Sequence, residues 1–162
     1  MRILQKYRVT SLAMAGFAAC GLMLSALHGQ QVSLAAPVSG TWMQTITLEG
    51  QPSFQGLVTF NVDGTLTDTT QSDVMPPDLA SPGHGVWMNL NPGTVRFRTV
   101  KLLSLAGTAG VPAGTAVTTG TLTLHDSNDF QTTGVTVFYS TSGQPTLTVP
   151  FTTVGKRVTL VD

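Results

Sequence analysis

After residue 36 the sequence is divided by turn residues into short segments of alternating polarity, and this pattern most constrains the fold. Gly, Pro and Thr interrupt every window in which a helical period of about 3.6 residues could develop. Alternation with a period of two is typical of strands that bury one face. The 25 Thr residues in this part of the chain favour strands, because their branched Cβ suits a pleated surface. The pattern predicts an all-β domain without helices.

Eight strands are predicted, separated by short turns. Their ranges are 40–48, 54–61, 65–71, 84–91, 94–105, 116–125, 130–140 and 146–151, with the last strand resuming over 154–161. Asp63-Gly64 suits a type I′ hairpin turn. The segment 72–83, which contains Pro76, Pro77 and Pro82, is predicted as a loop.

Because most connections are short, strands that are neighbours in sequence should pair as hairpins. Eight strands in such a meander close most naturally into an antiparallel up-and-down barrel, which leaves no free edge. The interior of an eight-stranded barrel holds side chains or one small ligand.

The first 35 residues differ from the rest and predict an N-terminal signal helix for export. Arg2, Lys6 and Arg8 form a basic region that precedes an apolar run over 9–27. Ser33 and Ala35 are small residues at the −3 and −1 positions that a signal peptidase recognises. We therefore expect a signal peptide over 1–35, a barrel domain over 36–162, and a periplasmic or secreted location.

Two alternatives compete with cleavage of this segment. The apolar run has 19 residues, which is close to the minimum for a membrane-spanning helix, so it could remain as an anchor. The sequence Phe17-Ala18-Ala19-Cys20 could instead be processed as a lipoprotein site, with lipid attached to Cys20. In either case the membrane would be contacted only through this N-terminal segment.

Charge and motif content exclude several classes of function for the domain. It has five basic and eight acidic residues, a net charge of −3, and no basic stripe that would bind nucleic acid. It has no cysteine, and its histidines lack metal-ligand spacing, so neither a metal nor another cofactor is expected. No catalytic motif is present, and Glu49 is the only Glu.

Gly40-Thr41-Trp42, at the start of the first predicted strand, resembles the first signature of the lipocalins and the wider calycin barrels. The resemblance implies that Trp42 closes the base of the barrel and that an Arg from the end of the last strand packs across its ring. Arg157 is at the position from which such a partner would come. The alternative is that Trp42 is an ordinary core aromatic.

The segment Ser81-Pro82-Gly83-His84-Gly85-Val86-Trp87 is the most distinctive in the domain. Together with Gly40-x-Trp42 and Phe60-x-x-Asp63-Gly64-Thr65, it resembles small exported bacterial proteins of unknown function that are considered calycin-like. His84 could orient a ligand, or act as an acid or base, at a barrel mouth. The alternative is a surface histidine whose flanking glycines form a bulge.

Arg96 and Arg98 alternate with Phe97, and two interpretations of this pattern remain open. The arginines could point into the barrel and bind a carboxylate. Alternatively, they face solvent while Val95 and Phe97 fill the core, which is ordinary strand patterning.

The leading functional hypothesis is an exported, non-enzymatic barrel that binds a small hydrophobic or amphipathic molecule. The predicted ligand-binding residues are Trp42, Phe60, Met88, Phe97 and Phe138 as cavity lining, His84 and Trp87 at the mouth, and Arg96 and Arg98 as polar contacts. One alternative is an isomerase or cyclase that resembles allene oxide cyclase or dirigent barrels, in which catalysis depends mainly on the shape of the cavity and on few catalytic groups. The other is a structural envelope protein with a filled core.

Overall fold

A computed structural model describes residues 37–74, 80–105 and 110–160 of the chain. The predicted signal segment over 1–35, including Cys20, lies outside the described residues. Cleavage, anchoring and lipidation therefore stay predictions. Among the described residues, no helix is both long enough and apolar enough to span a membrane.

The domain is a closed barrel of eight antiparallel strands in sequence order, so the predicted all-β up-and-down barrel is confirmed. The strands are β1 (Gly40–Leu48), β2 (Phe54–Phe60), β3 (Thr65–Thr70), β4 (Gly83–Asn91), β5 (Thr94–Ser104), β6 (Pro112–Leu124), β7 (Asp129–Tyr139) and β8 (Pro145–Arg157).

The barrel is closed by pairing between the first and last strands. β1 and β8 run antiparallel from the Trp42–Arg157 pair to the Leu48–Phe151 pair. This pairing removes the free edges that a flat eight-stranded meander would present.

In the described part of the chain, a helix that was not predicted from the sequence lies between β3 and β4. It is the single turn α1 (Gln71–Val74), directly after β3. The Asp73 carboxylate stabilises this turn, because its Oδ2 accepts a hydrogen bond from the Thr70 backbone N–H at 2.7 Å. Residues 72–74 of α1 were predicted as part of the proline-containing loop over 72–83, and Gln71 was predicted as the end of the third strand.

β6 and β8 differ most from their predicted ranges. β6 begins at Pro112 rather than at residue 116, because its first residues extend the pairing with β5 across a register shift at Leu103 and Ser104. β8 continues without a break through Arg157. A break was predicted at residues 152 and 153, with the strand resuming over 154–161, but both residues pair with β1 on one side and with β7 on the other.

The barrel has a packed end, which we call the closed end, where β1 and β5 begin and β2 and β8 finish. Its core contains Val38, Trp42, Val58, Phe60, Leu66, Trp87, Val95, Leu122 and Phe130. Trp42 meets Phe130 edge-on with ring centroids 5.1 Å apart, and Phe60 meets Trp87 edge-on at 5.9 Å. We call the opposite end, where β1, β3, β5 and β7 finish, the distal end.

Candidate ligand cavity

The barrel interior between the closed-end core and the distal end contains a cavity of about 200 Å³. Its wall is mainly apolar, because inward positions alternate with outward ones along every strand. The apolar lining residues are Ile46, Leu48, Phe54, Val58, Phe60, Leu66, Ala80, Phe97, Leu103, Ala116, Leu122, Phe130, Phe138, Val149 and Phe151.

Threonines supply much of the polar part of the wall. Thr99, Thr132 and Thr153 are each only 3% exposed and line the cavity. Thr118 and Thr136 lie on neighbouring strands, and their hydroxyl oxygens are 2.9 Å apart in a hydrogen bond. A wall of methyl groups with a few hydroxyls suits an amphipathic occupant as well as an apolar one.

A cluster of three ionisable side chains lines the cavity at its distal side, and we call it the carboxylate–lysine cluster: Asp68, Asp73 and Lys101. The Lys101 Nζ lies 3.0 Å from Asp68 Oδ2 and 2.5 Å from Asp73 Oδ2. Their side chains are largely buried, with exposed fractions of 14% for Lys101, 13% for Asp68 and 1% for Asp73. The cluster therefore places two carboxylates and one ammonium inside the barrel.

Three elements position this cluster. Asp68 is on β3, Lys101 is on β5, and Asp73 is in α1, which folds back over the end of β3. Gly83 on β4 leaves the space that Asp68 occupies, since a Cβ at position 83 would overlap Asp68 Oδ1. Gly83 of the distinctive Gly83-His84-Gly85 segment therefore makes room for a side chain that lines the cavity, whereas His84 faces away from the cavity.

Among the residues that the structure describes, two carboxylate oxygens of the cluster have no hydrogen-bond partner. These are Asp68 Oδ1 and Asp73 Oδ1, and both are buried. Buried polar atoms without partners are uncommon in native structures, because each loses its hydration without compensation. Their presence marks the cluster as a site with spare hydrogen-bond acceptors.

Five of the predicted ligand-binding residues face the interior, but at two different levels. Phe60, Phe97 and Phe138 line the cavity. Trp42 and Trp87 are buried in the closed-end core. Trp87 thus lies near the closed end rather than at a mouth, and its Nε1 donates to the carbonyl oxygens of Asn61 and Thr65, each at 3.0 Å.

The other four predicted residues are on the outside of the barrel. His84, Met88, Arg96 and Arg98 are exposed. They occupy the strand positions between inward residues such as Trp87, Phe97 and Thr99, so alternation turns them to solvent. Placing His84 at the mouth and Met88, Arg96 and Arg98 in contact with a ligand in the barrel is therefore corrected by this geometry. Ligand binding by the interior residues stays a prediction.

The residues predicted to close the barrel lie together at the closed end. The Arg157 guanidinium is over the Trp42 ring, 4.0 Å from its centroid. Arg157 also donates to the carbonyl oxygens of Ser127 and Ser39, each at 2.7 Å, and to that of Pro37. The Trp42 Nε1 donates to the Val38 carbonyl at 2.8 Å.

The carboxylate–lysine cluster was not predicted from the sequence, although two of its members carried a signal there. Alternation along β5 places Lys101 on the same face as Phe97 and Thr99, and alternation along β3 places Asp68 with Leu66. A charged residue at an inward position is a recognisable exception. Asp73 carried no such signal, because it lies in a helical turn and not in a strand.

Within the described ranges, no group of three or more His, Cys, Asp or Glu side chains could hold a metal ion. The cavity's charged groups in those ranges are the two carboxylates and the ammonium of the cluster.

Comparison with protein-family models finds no match, and comparison with curated proteins finds none. Among solved structures, the chain is similar to a redesigned β-barrel, with 22% sequence identity and a TM-score of 0.49, covering 77% of this chain and 95% of that one. It is also similar to EF1p2_mFAP2b bound to DFHBI, with 18% identity and a TM-score of 0.49, covering 78% of this chain and 98% of that one. At these values neither similarity assigns a function.

Proposed function

We propose that this protein is a lipocalin-like binding protein that holds a small apolar or amphipathic molecule inside its barrel. The observation that carries the proposal is the interior cavity of about 200 Å³ with a mainly apolar wall. A protein interior is normally packed as densely as an organic crystal, with few voids larger than a water molecule. A space of this size inside a barrel, with a mainly apolar wall and a few polar groups, has the features of a small-molecule binding site.

The size of the cavity limits the ligand. An apolar cavity of about 150 Å³ is large enough to bind benzene. A cavity of about 200 Å³ therefore fits one aromatic ring with a short substituent, or an alkyl chain of similar volume. The inward phenylalanines, including Phe60, Phe97 and Phe138, offer ring faces and edges to such a body.

The two alternative functions receive less support from the geometry. A structural protein with a filled core would have no cavity of this volume. A cyclase or isomerase that uses His84, Arg96 or Arg98 would need those side chains inside the barrel, and they are exposed on its outer surface.

Titration with toluene, followed by calorimetry, tests the binding proposal. We expect saturable binding of one toluene per chain. The variant Val149→Trp should abolish it, because Val149 lines the cavity and the larger ring would occupy that space. Thr148→Trp is the matched control, since Thr148 is the exposed neighbour on the same strand. No saturable binding to the unaltered chain would refute the proposal, as would equal binding by the two variants.

We also propose that the protein is exported, on the basis of the N-terminal segment described above. The intact mass of the protein recovered from the periplasm or medium of a bacterial host tests this. The mass of residues 36–162 is expected, and a full-length cytoplasmic product would contradict export.

A further inference from the structure

The hydrogen bonds of Lys101 indicate what the carboxylate–lysine cluster can still bind. A lysine ammonium has three N–H donors and no acceptor. Lys101 Nζ has three acceptors around it: Asp68 Oδ2 at 3.0 Å, Asp73 Oδ2 at 2.5 Å and Thr70 Oγ1 at 3.5 Å. Its donors are therefore all in use, and the ammonium is not available to a ligand's acceptor.

The remaining capacity of the cluster consists of acceptors. Within residues 37–74, 80–105 and 110–160, Asp68 Oδ1 and Asp73 Oδ1 have no partner, and each carboxylate oxygen can accept two hydrogen bonds. The Asp73 side chain is only 1% exposed, so bulk water does not compensate for the missing bonds. A group that binds here must donate hydrogen bonds.

The net charge of the cluster indicates which kind of hydrogen-bond donor it binds best. Two carboxylates and one ammonium carry a net charge of −1, on a cavity wall that is otherwise mainly apolar. A neutral hydroxyl would supply hydrogen bonds but leave the charge unbalanced, and an anion would add to it. A cation would supply the hydrogen bonds and also balance the charge.

A metal ion suits this site less well than an organic cation. Calcium takes about six to eight oxygen ligands, and magnesium demands octahedral geometry. The position between the carboxylates is already taken by the Lys101 ammonium. A second ammonium group needs fewer ligands and has the hydrogen-bonding pattern that both carboxylates already accept.

We propose that the ligand of the cavity is a small primary amine, whose protonated nitrogen binds the carboxylates of Asp68 and Asp73 and whose apolar body fills the phenylalanine-lined interior. This inference rests on the proposed function, because it assumes that the cavity binds a ligand. Asp68, with 13% of its side chain exposed, is the carboxylate that an entering amine meets more readily than the nearly inaccessible Asp73.

Three probes with one body and different head groups test the charge of the ligand. They are 2-phenylethylamine, 2-phenylethanol and 3-phenylpropanoate, each titrated calorimetrically at neutral pH into the full chain. We expect the amine to bind at least about tenfold more tightly than the alcohol, because the ammonium adds attraction between opposite charges to the hydrogen bonds that a hydroxyl can also donate. The carboxylate should show no saturable binding.

Two variants test whether the tighter binding of the amine depends on the carboxylates of the cluster. Asp68→Asn and Asp73→Asn each remove one negative charge at nearly constant size, and each should reduce amine affinity about tenfold and so lower the preference for the amine over the alcohol. Asp129→Asn is the matched control, because Asp129 pairs loosely with the exposed Lys156 at 3.9 Å, outside the cavity. It should leave both affinities unchanged.

The outcomes distinguish this inference from the proposed function. Equal affinities for amine and alcohol, with toluene still bound, would overturn the amine assignment and leave the binding cavity standing. A lack of binding by toluene and by all three probes would overturn both. The comparison of the three probes uses the unaltered chain, so it decides the question even where a variant fails to fold.

Discussion

At the scale of single residues, Gly40 shows why a glycine precedes Trp42 in the Gly-x-Trp motif. Its φ angle is 126°, a conformation that residues with side chains rarely adopt. A Cβ at this position would also lie 2.7 Å from the Arg157 Nη1. The glycine therefore makes room for the guanidinium that covers Trp42 and ties the two ends of the described chain together.

Asp63 stabilises the turn between β2 and β3 through one carboxylate oxygen. Its Oδ1 accepts hydrogen bonds from the Thr65 Oγ1 at 2.7 Å and from the Thr65 backbone N–H at 2.9 Å. The bond from the Thr65 hydroxyl, followed by that from its N–H, lowers the pKa of Asp63 below the ordinary value of 3.8. Because the folded pKa is the lower one, this contribution to stability is present above pH 3.8 and is lost as the pH falls through the folded pKa.

We predict that Thr65→Ala raises the pKa of Asp63 toward its ordinary value. The substitution removes the hydroxyl donor, which is the largest cause of the shift, and retains the backbone donor. Titration of the Asp63 carboxyl carbon by NMR measures the change. Thr67→Ala, on the outer face of the same strand, is the control and should leave the titration curve of Asp63 where it is. An unchanged Asp63 pKa in Thr65→Ala would show that the turn does not form as described.

At the scale of the strands, inward glycines provide the space that the aromatic core needs. Cβ atoms at Gly120 and Gly134 would lie 2.8 Å from the Phe97 ring and 2.7 Å from the Phe151 ring. At Gly155 a Cβ would overlap the ring of Phe130. Glycines covered by aromatic rings of the barrel interior also permit the strong curvature that an eight-stranded barrel requires.

We predict that Gly155→Ala destabilises the barrel by about 1–3 kcal/mol, the usual cost of forcing an extra methyl group into a packed core. Phe130 is 2% exposed and packs on Trp42, so its ring has little freedom to move away. Urea unfolding followed by tryptophan fluorescence measures the loss. The control is Val154→Ala, whose side chain is 59% exposed on the outer face and which should change stability by less than about 0.5 kcal/mol. Equal stability of the two variants would contradict the packing of Phe130 against Gly155.

The strands also show what the sequence could and could not predict. Strand number and order followed from local alternation and turn residues. Alternation alone did not decide which face of β5 is inward: it left two interpretations open for Arg96 and Arg98, which face solvent while Phe97 lines the cavity. Asp73 could not be found in this way. Its burial depends on a helical turn in a segment with several prolines and on an ion pair with Lys101, which is 28 positions further along the chain. This contact joins α1 to β5 across the intervening strand β4, so local alternation gives no sign of it.

At the scale of the whole molecule, closure brings the two ends of the described barrel together. Val158, just after β8, donates its backbone N–H to the Thr41 carbonyl at 2.9 Å. The β1–β8 pairing joins residues that are more than 100 positions apart, for example Trp42 and Arg157. Contacts of such large sequence separation make folding slow, because the entropy of loop closure is lost before they form.

We predict that a circular permutant of this barrel folds and still binds toluene. Its design joins residue 160 to residue 37 through a short Gly/Ser linker and opens the chain between Pro92 and Gly93, in the turn between β4 and β5. That turn is at the closed end, away from the cavity, and exposed turns accept new termini well. The permutant makes the β1–β8 pairing local in sequence, so we expect it to unfold cooperatively in urea.

A second permutant, opened between Thr118 and Thr119 in the middle of β6, is the matched control. It breaks a strand that pairs with both β5 and β7, which leaves backbone groups without partners, so it should not fold. If the permutant opened at Pro92 also failed to unfold cooperatively and to bind toluene, β1 and β8 would not be paired neighbours in solution. The cavity would then lack the wall that Ile46 and Phe151 supply from those two strands.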